Sequence, residues 1–343
     1  MSRSKALQSY ILVRLLLAPL MLFTIVTVVF ILVRATGDPA DAVLGARASE
    51  AAKAAWRSQK GLDGSLLQQY FDYLKDLLHF DLGSSILSSN KPVWGVIQEH
   101  FPATVELSLC SIIVAIVVGV SIGMISASSD NKLLDVSGRL FGIVTYSLPL
   151  FWIGMILQLI FAVNLGWFPL SNRFPIDSVG TPAPPTITGL YLVDSIFAGN
   201  LPMLLHTIHY LALPSLTLGL LLSGIFERIV RVNLKQTLKS DYVEAARARG
   251  IPEKTILVSH AMKNALIPVI TILGLTFASL LGGAVLTEVT FSWPGLGRAL
   301  YDAIGERDYL TVQGIMVFFG AIIVFASIII DIINACIDPR IRY

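Results

Sequence analysis

Hydrophobic residues in this chain are concentrated in six long runs. Residues 15–33, 107–129, 140–165, 199–226, 265–287 and 310–330 contain no Asp, Glu, Lys or Arg. At 1.5 Å per residue, each run can cross about 30 Å of hydrocarbon. The runs are continuous, without the two-residue alternation of a barrel strand. Backbone groups in lipid must also bond within their own segment, so each run predicts a helix. The fourth run includes His206 and His209, and its usable core is expected to begin a few residues after Pro202. Arg3, Lys5 and Arg14 precede the first run, as they would a signal peptide. Its 19 uncharged residues and the lack of a small-residue cleavage pattern favour an uncleaved helix instead.

Charge placement orients the helices. The segments before residue 15, between 128 and 139, between 227 and 264 and after 330 carry 15 Lys and Arg. The short segments on the opposite side carry 3, and seven more lie in the long 34–106 connection, which translocates largely regardless of charge. Both termini are therefore expected on the cytoplasmic side. Composition agrees: of 343 residues, 55% are hydrophobic and 14% charged, against about a quarter charged in a soluble domain. A formal charge of +2 gives no reason to expect nucleic acid as a partner.

Catalytic chemistry is absent from the pattern. There is no GxxxxGK[ST] phosphate loop, no GxSxG and no HExxH. Cys110 and Cys336 stand far apart and read as small apolar fillers. His79, His100, His206, His209 and His260 are scattered and read as loop or interface residues. No cofactor and no metal site is expected. The run centres also lack the carboxylate that an ion-coupled carrier would normally keep at the midplane. The driving force is therefore expected to come from another protein. A secondary carrier or channel without ATPase partners is the alternative, and a membrane anchor that recruits a soluble enzyme is a third reading.

The connection 227–264 is the least loop-like of the polar segments. Asp241 followed by Glu244 reads as an N-cap with its reciprocal carboxylate three residues on. Helix formers follow over 242–249, and Gly250 supplies a stop. A second helix is expected from Ile251-Pro252 to about Lys263. The first helix would expose Glu244, Arg247 and Arg249 beside the small Ala245, Ala246 and Ala248. Such a surface suits either anionic lipid or a groove on a soluble protein. The lack of a large apolar face favours the groove.

Glu244-Ala245-Ala246 with Gly250 resembles the EAA signature of membrane subunits in ATP-binding-cassette importers. The wider stretch DYVEAARARGIPEKTILVSHAMKNALIP, residues 241–268, is similar to the dipeptide/oligopeptide permease branch of that family. Its Ile267-Pro268 lies further from the glycine than the Leu-Pro of the general pattern. Further similar stretches occur in order along nearly the whole chain. They are GDPAD at 37–41, GLDGSLLQQYFDYLKDLLHFDLGSS at 61–85, FPATVELS at 101–108, LPSLTLG at 213–219, TEVTFSWPGLGRAL at 287–300 and DPRIR at 338–342.

The resemblance implies an all-α membrane protein with the type I importer permease fold. Six transmembrane helices would have both termini inside, with a large extracytoplasmic insert between helices 1 and 2. It implies an N-terminal helix plus insert over 1–100, a core permease domain over 101–335 and a cytoplasmic tail over 336–343. The location implied is a bacterial inner membrane. The partners implied are a homologous six-helix subunit forming a heterodimer, two ATPase subunits that bind the ATP, an external substrate-binding protein and membrane lipid. Asp241, Glu244, Ala245, Ala246, Arg247, Arg249 and Gly250 would form the coupling helix seated on an ATPase. Dipeptides or oligopeptides are the implied substrates, with nickel, glutathione or another small solute as alternatives.

Outside the runs, 68–78 has apolar residues at helical spacing and predicts an amphipathic helix. The insert is expected to contact a binding protein or to pack as a lid on the helix ends. Glu288, Trp293, Pro294, Gly295 and Gly297 read as a structural turn anchored by an interfacial Trp, or as an outer gate or binding-protein contact. The proline-rich stretch 174–192 reads as an irregular loop without evident chemistry. Gly119 and Gly123 form a GxxxG pair suited to close helix packing. Pro149 and Pro214 are candidate kinks.

Overall fold

The computed structural model describes residues 3–35, 37–45, 47–59, 62–85, 91–129, 131–175 and 183–337. The 338–342 motif, Gly61 and Pro182 fall outside them. Among the described residues every regular element is helical, with one isolated antiparallel bridge between Ser84 and Pro92. Helix α1 (Arg3–Ala35) contains the first apolar run. In α2 (Pro39–Leu44), Asp38 caps the start by accepting from the Ala40 amide at 2.9 Å. The same carboxylate takes Arg57 Nε of α3 (Glu50–Gln59) at 2.8 Å, which gives the GDPAD stretch a structural purpose. Helix α4 (Leu66–Leu78) begins at Ser65, whose Oγ accepts from the Gln68 amide, and matches the helix expected over 68–78. It docks on α1: the Tyr70 and Thr27 hydroxyls lie 2.6 Å apart, and Phe30 packs on the rings of Tyr70 and Tyr73.

The long helices carry the core. Helix α5 (Val93–Ser128) runs through Pro102 and starts well before the apolar run it contains. Its 36 residues span about 54 Å. Helix α6 (Lys132–Ser147) is separated from α7 (Leu150–Leu157), which continues as a π-helical turn over Gln158–Asn164. After the short α8 (Tyr191–Phe197), α9 (Leu201–Thr237) opens on Asn200, whose side chain accepts from the Met203 amide at 3.1 Å. Next come α10 (Asp241–Ala248), α11 (Glu253–Thr255), a π turn over Ile256–Ala261 and α12 (Met262–Ala265). The chain then forms α13 (Ile267–Gly283), α14 (Val285–Thr290), α15 (Leu296–Gly305) and α16 (Tyr309–Ile337).

Four helical stretches, Leu12–Ala35, Val93–Ser128, Leu201–Thr237 and Tyr309–Ile330, are long and apolar enough to cross a membrane alone. Two bent pairs raise the number to six if each pair counts as one span: Lys132–Ser147 with Leu150–Asn164, bent by 103°, and Glu253–Ala265 with Ile267–Gly282, bent by 49°. The third expected run is therefore not one continuous helix. Pro149 forces Leu148 out of the helical region, to φ −82° and ψ 138°, and has no amide to continue the ladder. Pro214 lies inside the unbroken α9.

Helices α5 and α9 run parallel, and their shared seam is the centre of the core. A Cβ on Gly119 would lie 2.5 Å from the Ser223 carbonyl oxygen, and one on Gly123 would lie 2.8 Å from that of Glu227. On α9, a Cβ on Gly219 would lie 2.8 Å from the Ser111 oxygen. The GxxxG pair thus brings backbone against backbone, as expected. Leu107, Leu213, Phe226 and Leu234, all buried, fill the space beside it. Helix α6 packs antiparallel on α9 through Gly138, Gly142 and Thr145, and α16 packs on α1 through Tyr309, Val29 and Val33.

Candidate functional site

Residues 238–240 turn α9 into α10. Ser240, at φ −80° and ψ 151°, is the N-cap, and its carbonyl accepts from the Val243 and Glu244 amides. The expected cap at Asp241 is thus displaced by one residue. The Ser240 hydroxyl donates back to the Thr237 carbonyl at 2.6 Å, so the reciprocal side-chain box does not form. Asp241 and Glu244 instead occupy the first turn, where carboxylates complement the positive helix end.

The other end closes as a Schellman motif. The Gly250 amide donates to the Arg247 carbonyl at 2.9 Å, and the Ile251 amide donates to that of Ala246 at 3.2 Å. Gly250 has φ +73°, a conformation that a side chain would strain. Ile251 packs with Val243, Ala246 and Ile256, clamping α10 against the following segment. Ala246 is therefore buried under the helix, not offered on its surface as expected. Arg247 is also engaged internally, with Nε 2.6 Å from Glu253 Oε1 and Nη1 3.3 Å from the Leu238 carbonyl. Tyr242 accepts from Asn264 at 2.7 Å. Asp241, Tyr242, Glu244, Ala245, Arg247, Ala248 and Arg249 are exposed. Tyr242 and Arg247 are engaged within the segment, whereas the Asp241, Glu244 and Arg249 side chains make no hydrogen bond or ion pair among the described residues. Ala245 and Ala248 thus lie between unengaged charges on a turn locked by Gly250.

At the opposite pole, two distant motifs form one buried knot. Glu288 and Trp293 are fully buried. Glu288 accepts from the Thr104 hydroxyl at 2.7 Å and from the Arg298 amide at 2.9 Å. Thr104 also accepts from the Leu296 amide, and Trp293 Nε1 donates to the Ala103 carbonyl at 2.9 Å. Gly295 and Gly297 close over the carboxyl: a Cβ at Gly295 would lie 2.3 Å from Glu288 Oε1, and one at Gly297 would lie 2.9 Å from Oε2. The Pro294 carbonyl lies 3.1 Å from His100 Nδ1. The residues expected to act together are thus brought together, but Trp293 is an interior anchor and not an interfacial one. Burial leaves Glu288 and Trp293 no surface for a direct protein contact in this conformation.

The stretch that read as an irregular loop carries chemistry the sequence reading missed. Arg173 is buried, with Nε and Nη2 at 2.9 and 2.7 Å from Glu106 Oε2. Its guanidinium lies 3.7 Å from the Tyr191 ring centroid and 5.7 Å from that of Trp293. Glu106 Oε1 accepts from the Leu192 amide at 2.7 Å, so Glu106 ties the loop to the middle of α5. Asp194, also buried, accepts from the Thr188 amide and hydroxyl and from the Gly189 amide. Burial works to raise the Asp194 carboxyl, but these hydrogen bonds overcome it and hold the group below its ordinary range. A lone Arg at the edge of the proline-rich stretch was the sequence signal for this cluster. Among the described residues, no group of three His, Cys, Asp or Glu side chains could hold a metal ion.

The family described as binding-protein-dependent transport system inner membrane component matches residues 119–343, and its N-terminal counterpart matches residues 7–108. The chain is 38% identical over 329 residues to a dipeptide transport system permease protein of Alkalihalophilus pseudofirmus, covering 96% of this chain and 97% of that one. It is 37% identical over 323 residues to a di/tripeptide transport system permease protein of Pseudomonas aeruginosa, covering 94% and 95%. It is 35% identical over 336 residues to a glutathione transport system permease protein of Pectobacterium atrosepticum, covering 98% and 99%. With the α9–α10 turn and the core motifs in place along the chain, this protein belongs to the family of inner-membrane components of binding-protein-dependent transport systems.

Proposed function

We propose that this chain is the membrane permease subunit of an ATP-driven importer of dipeptides and other short peptides, and that α10 is its coupling helix. The observation that carries the reading is the exposed face of α10, with Glu244, Ala245, Ala248 and Arg249 free to meet a partner. The names of the relatives, for dipeptides, di- and tripeptides and glutathione, support short peptides as the substrate class. The chain itself binds no ATP in this account. Two ATPase subunits hydrolyse it, and their closure pushes α10.

The push has a short route. Helix α10 is fixed to α9 by the 238–240 turn and the Arg247–Leu238 bond, and α9 is the helix against which α5 and α6 pack. In this account the bent pairs each count as one span, giving six crossings with both termini inside. The 34–100 segment and the Glu288 knot then lie outside, facing an external binding protein. A homologous six-helix subunit completes a heterodimer around the path. Glu244 and Gly250 are the decisive coupling residues, and Asp241, Ala245 and Arg249 are supporting contacts. Ala246 and Arg247 hold the helix in place.

Co-purification from the native membrane, with mass spectrometry of the associated chains, tests the assembly. The expected result is two ATPase chains with a second permease chain. Purification of an intact protein with no ATPase chain, together with unchanged peptide uptake after deletion, would overturn the proposal.

A further inference from the structure

Beyond the α10 surface, α6 and α9 border a half-open cavity. Its volume is about 600 Å³, and its wall includes Arg139, Gly142, Tyr146, Glu227, Arg228 and Arg231. This lies in the usual range of small-molecule sites, about 300–1,000 Å³. It sits beside the α6–α7 break, one helical segment away from α10.

Three features give the wall a specific complementarity. Glu227 is 1% exposed, and only one of its carboxyl oxygens is satisfied, by Arg231 Nε at 2.7 Å. The other, Oε2, is buried with no hydrogen-bond partner. A buried carboxylate oxygen without a donor is costly, and an arriving ammonium would remove that cost. Gly142 leaves room for that oxygen, since a Cβ there would lie 2.8 Å from Oε2. The second feature is Arg228, which is exposed and makes no hydrogen bond or ion pair among the described residues. The third is the difference between Arg228 and its neighbours. Arg139 is held by Asp135, which Lys235 also contacts at 2.7 Å, and Arg231 is held by Glu227. The wall therefore holds one carboxylate oxygen without a hydrogen-bond donor, buried just beneath its surface, and one exposed guanidinium outside any hydrogen bond or ion pair among the described residues.

We infer that this cavity is a binding station for a free peptide on its way across the membrane. Glu227 receives the α-ammonium, and Arg228 pairs with the terminal carboxylate. This deepens the proposed function and rests on it. A station that reads only the two termini tolerates varied side chains, as an importer of diverse short peptides needs. Its position on α9, the helix that leads into α10, places the ligand on the element that the ATPases would move. Phosphatidylethanolamine carries a related pair of charges, and the test separates the two sources.

The experiment uses the complete transporter in nanodiscs, with Cys110 and Cys336 replaced by Ser and with Ile143→Cys as a reporter on the cavity wall. Maleimide labelling is timed without the external binding protein, in the presence of Ala-Phe, its C-terminal amide or its N-acetyl derivative. Uptake of Ala-Phe with the binding protein is measured in parallel. Ala-Phe is expected to slow labelling about tenfold, the effect of one to two charge-assisted contacts. The two blocked derivatives should not slow it. Arg228→Gln, at an exposed position, should abolish the protection, as should Glu227→Gln, while Arg228→Lys should retain most of it. No protection in a preparation that imports Ala-Phe would overturn the inference and leave the proposed function intact. Equal protection by the blocked peptides, or slow labelling that needs only phosphatidylethanolamine in the nanodisc, would also overturn it. A transporter that never imports Ala-Phe would contradict the proposed function, and the inference with it.

Discussion

Glu288 has its carboxyl enclosed by the Thr104 hydroxyl, the Arg298 amide and the backbones of Gly295 and Gly297, so it joins two segments that lie 184 residues apart. Glu288→Ala leaves those donors without an acceptor and should cost about 3 kcal/mol of stability. Gly295→Ala, which has no room for its Cβ, should destabilise to a similar degree by overpacking. Thermal unfolding of the purified complex checks both, and a midpoint unchanged by either would contradict the knot. Asp194 makes a separate, pH-dependent prediction. Its folded-state affinity for the proton is lowered, so the stability it contributes is present above its ordinary value of 3.8 and is lost as pH falls through the lower folded value. Proteolysis of the 183–200 segment should therefore be insensitive to pH from 7 to 5 and accelerate only below about 4. Asp194→Asn should remove that acid-dependent step.

Helices explain both what the sequence disclosed and what it concealed. Uncharged length marks apolar helical segments: each of the six runs lies largely within helices, but the third is broken at Leu148-Pro149, and four helical stretches are long and apolar enough to cross a membrane alone. Helix ends depend on single local bonds, and there the reading slipped. Ser240 rather than Asp241 caps α10 because the Ser240 carbonyl already accepts the first helical amides. Helix α5 extends back through Pro102 to Val93, because Val93 and Ile97 are buried against Leu296, Leu300, Ile315 and Phe319, which outweighs the polar character of those turns. A close-packing role for Gly119 and Gly123 was legible from their spacing, but not that α9 is the helix they meet. Gly119→Leu should force the two helices apart and cost about 3 kcal/mol, seen as loss of monodisperse complex. The Arg173–Glu106 pair was not legible, because an ion pair 67 residues apart leaves no periodic trace.

At the scale of the whole molecule, two polar poles flank the apolar seam of parallel helices. One pole is closed: Glu106 and Arg173 form a buried ion pair, and Glu288 and Asp194 are buried and hydrogen-bonded. The other ends in α10, whose charged face is unengaged. The composition of α10 showed that it was a candidate contact, but not which residues face outward. That depends on the Schellman turn at Gly250, which buries Val243 and Ala246 and leaves Glu244 and Ala245 exposed. Glu244→Lys or Gly250→Asp should reduce ATP-coupled uptake to background while leaving membrane insertion and expression normal. Normal uptake by either variant would remove the coupling role from α10. The most direct measurement is site-specific crosslinking from Ala245→Cys in the complex isolated from its own membrane. A crosslink to an ATPase subunit is expected, with a yield that changes when ATP is added. A cysteine that reacts freely with maleimide in the assembled, active transporter and never joins an ATPase would contradict it.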